Sequence, residues 1–94
     1  MESEDSLDNL FLHAKPVKIL LGMKANDSSK TYASILAKIA DCTYSHTVKI
    51  LNIFEQHKLI EFNKNGRIKH IVLTKKGEET AKYLDELSRM LKKN

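Results

Sequence analysis

One cysteine, one proline, three glycines and no tryptophan in 94 residues each remove a class of protein. Cys42 alone cannot form an internal disulfide, which excludes a disulfide-stapled scaffold and agrees with a reducing compartment. The four histidines and Cys42 lie at scattered positions without metal-ligand spacing, so no metal site is expected. Three glycines leave no Gly-rich phosphate loop. Thr43, Ser45 and Thr47 beside His46 are no nucleophile site, because helix neighbours one apart point in different directions. Neither enzyme activity nor a cofactor is therefore expected. No apolar run approaches the roughly 20 residues needed to span a bilayer, so no membrane role is expected. The opening Met1-Glu2-Ser3-Glu4-Asp5 is acidic where a secretory signal is positive; the expectation is a cytoplasmic protein.

What is present is one compact domain's worth of chain, 41% apolar, too apolar for disorder. A chain this short buries only part of its surface and often gains from a partner subunit. The net charge of +4 is unevenly spread. Residues 1–14 hold four acids (Glu2, Glu4, Asp5, Asp8) and no Lys or Arg, which leaves eight acids against all 16 bases in 15–94, a net of +8. From Cys42 to Lys76 seven bases meet two acids. A basic middle suits a polyanionic partner such as nucleic acid; a Lys-rich solvated surface is the plain alternative.

Periodicity divides the chain into elements. Leu7, Leu10, Phe11 and Ala14 recur at helical spacing over 6–14. Pro16 suits the first turn of a greasy second segment that ends near Gly22–Asn26. A helix follows over 33–40, interrupted by Asp41-Cys42-Thr43. Thr43 is a good N-cap for a helix reaching about His57, with Thr47, Ile50, Leu51 and Phe54 on one face. Tyr44, Ser45, His46 and Lys49 fall on the other. From Leu59 to Thr74 the period becomes two, and Asn65-Gly66 signals a hairpin. A two-residue loop there pairs Ile60 with Ile71 and Lys64 with Arg67. Thr74 caps a last helix to about Lys92, in which Gly77 permits close packing. The apolar seam of that helix is Ala81, Leu84, Leu87, Ser88 and Leu91.

The fold class is thus mainly α with a small β-hairpin (α+β), in the order α(-α)-α-α-β-β-α. The chain divides into an arm or short helix at 1–14, a core domain at 15–76 and a C-terminal helix at 77–94. Two helices joined by a tight turn can cross steeply, one bracing the backbone while the other enters a major groove. A basic hairpin beside them can touch phosphates.

From Tyr32 to Leu87 the sequence resembles the winged helix-turn-helix domain of MarR-type and related small prokaryotic transcription regulators. The resemblance is carried by Leu36-Ala37-Lys38, by Thr43 through Leu51, by Phe54 through Ile60, and by Leu73-Thr74-Lys75-Lys76-Gly77. Lys15-Pro16-Val17-Lys18-Ile19-Leu20 is similar to the first helix of the same regulators. Two positions depart: Lys58 and Asp41 stand where the family has glycine. Asp tolerates a left-handed backbone. Lys there costs roughly 1 kcal/mol, so a different helix end is expected at Lys58. The wing is also short. The resemblance implies a homodimer that reads a two-fold-symmetric site in double-stranded DNA.

On this reading Thr43, Tyr44, Ser45, His46 and Lys49 of the recognition helix and Lys64, Arg67 and Lys69 of the wing contact DNA. Leu10, Phe11, Leu84, Leu87 and Leu91, with Ile53 a further candidate, form the dimer contact, because the last seam outruns what a small domain covers. Lys75 and Lys76 begin a helix, where the macrodipole disfavours cations, which points to an anionic neighbour. Cys42 reads as an apolar plug between two helices rather than a redox switch. A protein-interaction winged helix and a non-specific architectural DNA binder are the competing readings; the latter lacks interleaved aromatics.

Overall fold

A computed structural model of the chain describes residues 14–26, 31–65 and 68–93. The expected helix over 6–14, with Leu10 and Phe11, lies outside these residues up to Ala14, as do Gly66 and Arg67. The elements are α1 (Ala14–Asn26), α2 (Ala33–Ala40), α3 (Tyr44–Gln56), β1 (Ile60–Asn65), β2 (Ile68–Leu73) and α4 (Lys75–Lys92). Pro16 sits in the first turn of α1, where its missing N–H removes no intrahelical bond. None of the described helices is long and apolar enough to cross a membrane.

The core is where the apolar faces meet. Ile19 and Met23 of α1, Leu36 and Ala40 of α2, Ile50 and Leu51 of α3, and Ile60 and Ile71 of the hairpin form one buried cluster. Helix α1 packs on α2 and α4, and α3 packs on α2 and β1. Ala81 and Ser88 are buried on the inner side of α4. Asp85 of that helix lies 3.7 Å from Lys24 of α1 and 3.2 Å from Arg89, surface pairs worth at most about 1 kcal/mol.

Helices α2 and α3 end alike. Asp41 takes a left-handed backbone (φ 53), as does Lys58 (φ 62). After α2 the N–H of Asp41 bonds the carbonyl of Lys38, and that of Cys42 bonds Ala37. After α3 the N–H of Lys58 bonds Glu55, and that of Leu59 bonds Phe54. These are the paired bonds of a left-handed helix stop, which satisfy carbonyls otherwise left open. The next residue in each case, Cys42 or Leu59, packs half-buried on the core. Cys42 therefore fills the space expected of an apolar plug. The different ending expected from Lys58 does not occur: two closing hydrogen bonds and the packing of half-buried Leu59 on the core outweigh the left-handed penalty. Lys58→Gly should accordingly raise stability, by less than about 1 kcal/mol because glycine also loosens the unfolded chain. Chemical denaturation checks this, and a lower midpoint would contradict it.

The hairpin register differs from the expected one. Ile60 pairs with Leu73, Phe62 with Ile71, Lys64 with Lys69 and Asn65 with Ile68, so Lys64 faces Lys69 instead of Arg67, and Ile60 does not face Ile71. Sliding one strand by two residues keeps every side chain on its face, so alternation cannot tell the two registers apart. The base of the hairpin decides. Thr74 N–H bonds the carbonyl of Leu59 at 3.0 Å, and its hydroxyl donates to the Lys58 carbonyl at 2.6 Å. The far edge of β2 is also held, because Ile71 N–H bonds the carbonyl of buried Thr31 at 2.9 Å.

Candidate nucleic-acid interface

Helix α3 opens on a cap built from its own first residues. Thr43 is extended (φ −66, ψ 155), and its hydroxyl accepts from the N–H of His46 at 3.2 Å. The hydroxyl of buried Thr47 donates to the Thr43 carbonyl at 2.8 Å. No acidic residue lies in the first turn, so the partial positive charge of the helix N-terminus is not offset locally. Thr47, Ile50 and Leu51 turn inward, while Thr43, Tyr44, Ser45, His46 and Lys49 are all exposed. Tyr44 is 61% exposed among the described residues.

The hairpin adds charge beside this helix. Strand β1 packs on α3, and Lys64 and Lys69 stand opposite each other near the far end of the hairpin, both exposed. Directly opposed like charges destabilise a strand pair. The Lys69 ammonium lies 4.0 Å from the centre of the Phe62 ring, a contact worth about 0.5–1 kcal/mol at an exposed site. That contact aims one of the two cations without neutralising it. Of the expected wing residues, Arg67 lies outside the described residues.

No protein-family model and no curated protein matches this sequence. Solved structures do match. AF1382 from Archaeoglobus fulgidus superposes with a TM-score of 0.84 at 24% identity, over 93% of this chain and 98% of that one. The MarR family transcriptional regulator SPO1453 from Silicibacter pomeroyi gives 0.75 at 20% identity, over 94% of this chain and 62% of its own length. MepR, a transcription regulator of the Staphylococcus aureus multidrug efflux pump MepA, gives 0.71 at 22% identity, over 94% and 69%. The fold is a MarR-like winged helix. The chain spans nearly all of AF1382 but less than two-thirds of SPO1453.

Within the winged helix, α2 and α3 are the helix-turn-helix pair and β1–β2 is the wing. Three features of this frame were not evident in the sequence. Lys15 donates from its ammonium to the carbonyl of Ala40 at 3.0 Å and to that of Asp41. It thereby ties the start of α1 to the turn before α3, with a cation where the α2 dipole is negative. Lys76 donates to the carbonyl of His57 at 3.2 Å, so this lysine meets the partial negative charge at the end of α3. On α4 the apolar residues most exposed are Tyr83 (65%) and Met90 (70%), with Leu87 between them at 40%, whereas Leu84 and Leu91 are half-buried. Asn52 of α3 is exposed as well.

Proposed function

We propose that this protein is a dimeric, sequence-specific double-stranded-DNA-binding transcription regulator. One observation carries the reading: an exposed, capped helix with no acid in its first turn stands beside a hairpin that opposes two lysines. That arrangement wastes stability unless a polyanion lies across it, and the DNA backbone is the polyanion whose groove admits a helix. The fold supports the reading, since SPO1453 and MepR are transcription regulators by description. Thr43, Tyr44, Ser45, His46 and Lys49 contact the duplex from the recognition helix, and Lys64, Arg67 and Lys69 hold phosphates from the wing. Phosphate contacts set register and affinity; groups aimed at base edges set specificity. The reading involves no catalytic step, and occlusion of a promoter is the default mechanism.

The dimer contact falls to residues 77–94 together with the arm at 1–14. Leu87 lies at the centre of the exposed apolar face of α4, flanked by Leu84 and Leu91 and widened by Tyr83 and Met90. Leu10 and Phe11 of the arm join it. Apolar stripes of this length on so small a domain are ordinarily covered by a partner, and a two-fold dimer places two recognition helices about one turn, roughly 10 bp, apart.

The experiment is selection of bound duplexes from a random pool, with the solution mass measured alongside. A two-fold-symmetric site and a mass twice that of the chain are expected. Lys49→Ala should weaken binding to the selected site about tenfold, by removing a base-edge contact worth 1–3 kcal/mol. No duplex binding even at low salt would sink the proposal, and recovery of a stoichiometric protein partner insensitive to nuclease would replace it with the protein-interaction reading.

A further inference from the structure

Helix α3 carries hydrogen-bonding groups well beyond its first turns. At about 100° per residue, Thr47, Ile50, Leu51 and Phe54 define the direction that faces the core. Ser45, Lys49, Asn52 and Gln56 lie roughly 140–200° away from Thr47 on the same count, and all four are exposed. The stripe runs straight down the outward line of the helix. Tyr44 and His46 sit on its two flanks instead. Neither Lys49 nor Asn52 has a side-chain partner among the described residues.

A helix lying in a major groove presents its outward line to base edges and its flanks to the sugar–phosphate walls. On that line the chemistry differs by position. Lysine offers donors only, which suits the paired O6 and N7 acceptors of guanine; a carboxamide offers one donor face and one acceptor, which suits N7 and the N6 amino group of adenine. Lys49 and Asn52 are three residues apart, an axial rise of about 4.5 Å, against about 3.4 Å per base step. Their targets are therefore adjacent or one pair removed. Gln56 lies at the last turn of α3, away from the N-terminal part that inserts most deeply.

We infer that Asn52 is a specificity-determining residue that reads an adenine in each half-site, one or two base pairs from a guanine read by Lys49. The inference rests on the DNA-binding reading above and names what that surface recognises. Tyr44 and His46 then act on the backbone, and Ser45 marks the other end of the base-reading line.

The test compares sites selected from a random duplex pool by the full chain and by Asn52→Ala, Lys49→Ala and Gln56→Ala. All three side chains are exposed, and thermal melts establish that the variants fold. The selected site is expected to contain the adenine–guanine pair of positions in each half. Asn52→Ala should lose the adenine preference alone and bind the original site about tenfold more weakly, with affinity for unrelated duplex unchanged. Lys49→Ala should lose the guanine, and Gln56→Ala should select the original site. A wild-type site that Asn52→Ala reproduces at equal affinity overturns this inference alone. Absence of any wild-type duplex binding overturns the DNA-binding reading and this inference with it.

Discussion

Gly77→Ala should destabilise the protein by about 3 kcal/mol or more, the upper part of the range for forced overpacking. A methyl group at this position would stand 1.9 Å from the carbonyl oxygen of Leu59 and 2.9 Å from its carbonyl carbon. That oxygen is backbone, and it already accepts from Thr74 N–H at 3.0 Å. It cannot withdraw without breaking the bond that closes the base of the hairpin. The alternative, tilting α4 away, breaks the cap in which Gly77 N–H bonds the Thr74 hydroxyl at 3.0 Å. In an unconstrained helix the same substitution stabilises by about 0.5–1 kcal/mol, so the sign itself is diagnostic. For a chain of this size the expected loss is a fall in melting temperature of roughly 12–24 °C. A melting temperature at or above that of the unsubstituted protein would show that α4 does not press on Leu59. Gly22→Ala is the control: its methyl would first meet the Ile39 side chain, at 3.0 Å, which can turn aside, and a change below about 1 kcal/mol is expected.

The second large effect concerns DNA. Replacing Lys64, Arg67 and Lys69 together by alanine should flatten the salt dependence of binding. Each phosphate contact releases counterions and contributes about 0.9 to the slope of log affinity against log salt, so three removed contacts lower its magnitude by about 2.7. Affinity should fall for every sequence alike, and the base preference should survive, since the wing holds phosphates and does not read bases. Lys64 and Lys69 are exposed, and the Lys69–Phe62 contact is worth at most about 1 kcal/mol, so the fold persists. An unchanged slope would remove the wing from the interface, and a changed site preference would give it a reading role. Isothermal binding measured at several salt concentrations distinguishes these outcomes.

Much of the site was legible because its determinants are local. Thr43 and Thr74 announce helix starts through hydroxyls that reach an N–H three residues on, and both bonds are present. The inward and outward faces of α3 follow from spacing alone, since Thr47, Ile50 and Leu51 are buried while Ser45, His46 and Lys49 are exposed. Asn52 shares that spacing and is exposed as well. Gly77 was legible as a packing position, though not the carbonyl it meets.

The misses share a cause. Lys58 looks wrong for a left-handed helix stop, because residue type records the local penalty but not the packing of Leu59 on the core that offsets it. The expected pairing of Lys64 with Arg67 failed because a two-residue slip leaves the pattern of the strands untouched. Lys76 reads as a misplaced cation until the end of α3 is seen beneath it. On α4 the period identifies an apolar side, but only its packing on α1 and β2 distinguishes half-buried Leu84 from exposed Tyr83 and Met90.

Sequence alone determined which segments are helical, where α3 and α4 begin, which face of α3 is polar, and that the basic charge gathers downstream of an acidic start. Those properties depend on hydrogen bonds and side-chain spacings within about one helical turn, and one turn is written directly in consecutive residues. Only the tertiary structure decided the hairpin register, the bridge from Thr31 to Ile71, and the clamp of Lys15 on the turn before α3. The clamp and the bridge join residues 25 and 40 positions apart, and the bond that sets the register joins Leu59 to Thr74; such contacts form only once the buried faces have set the elements side by side.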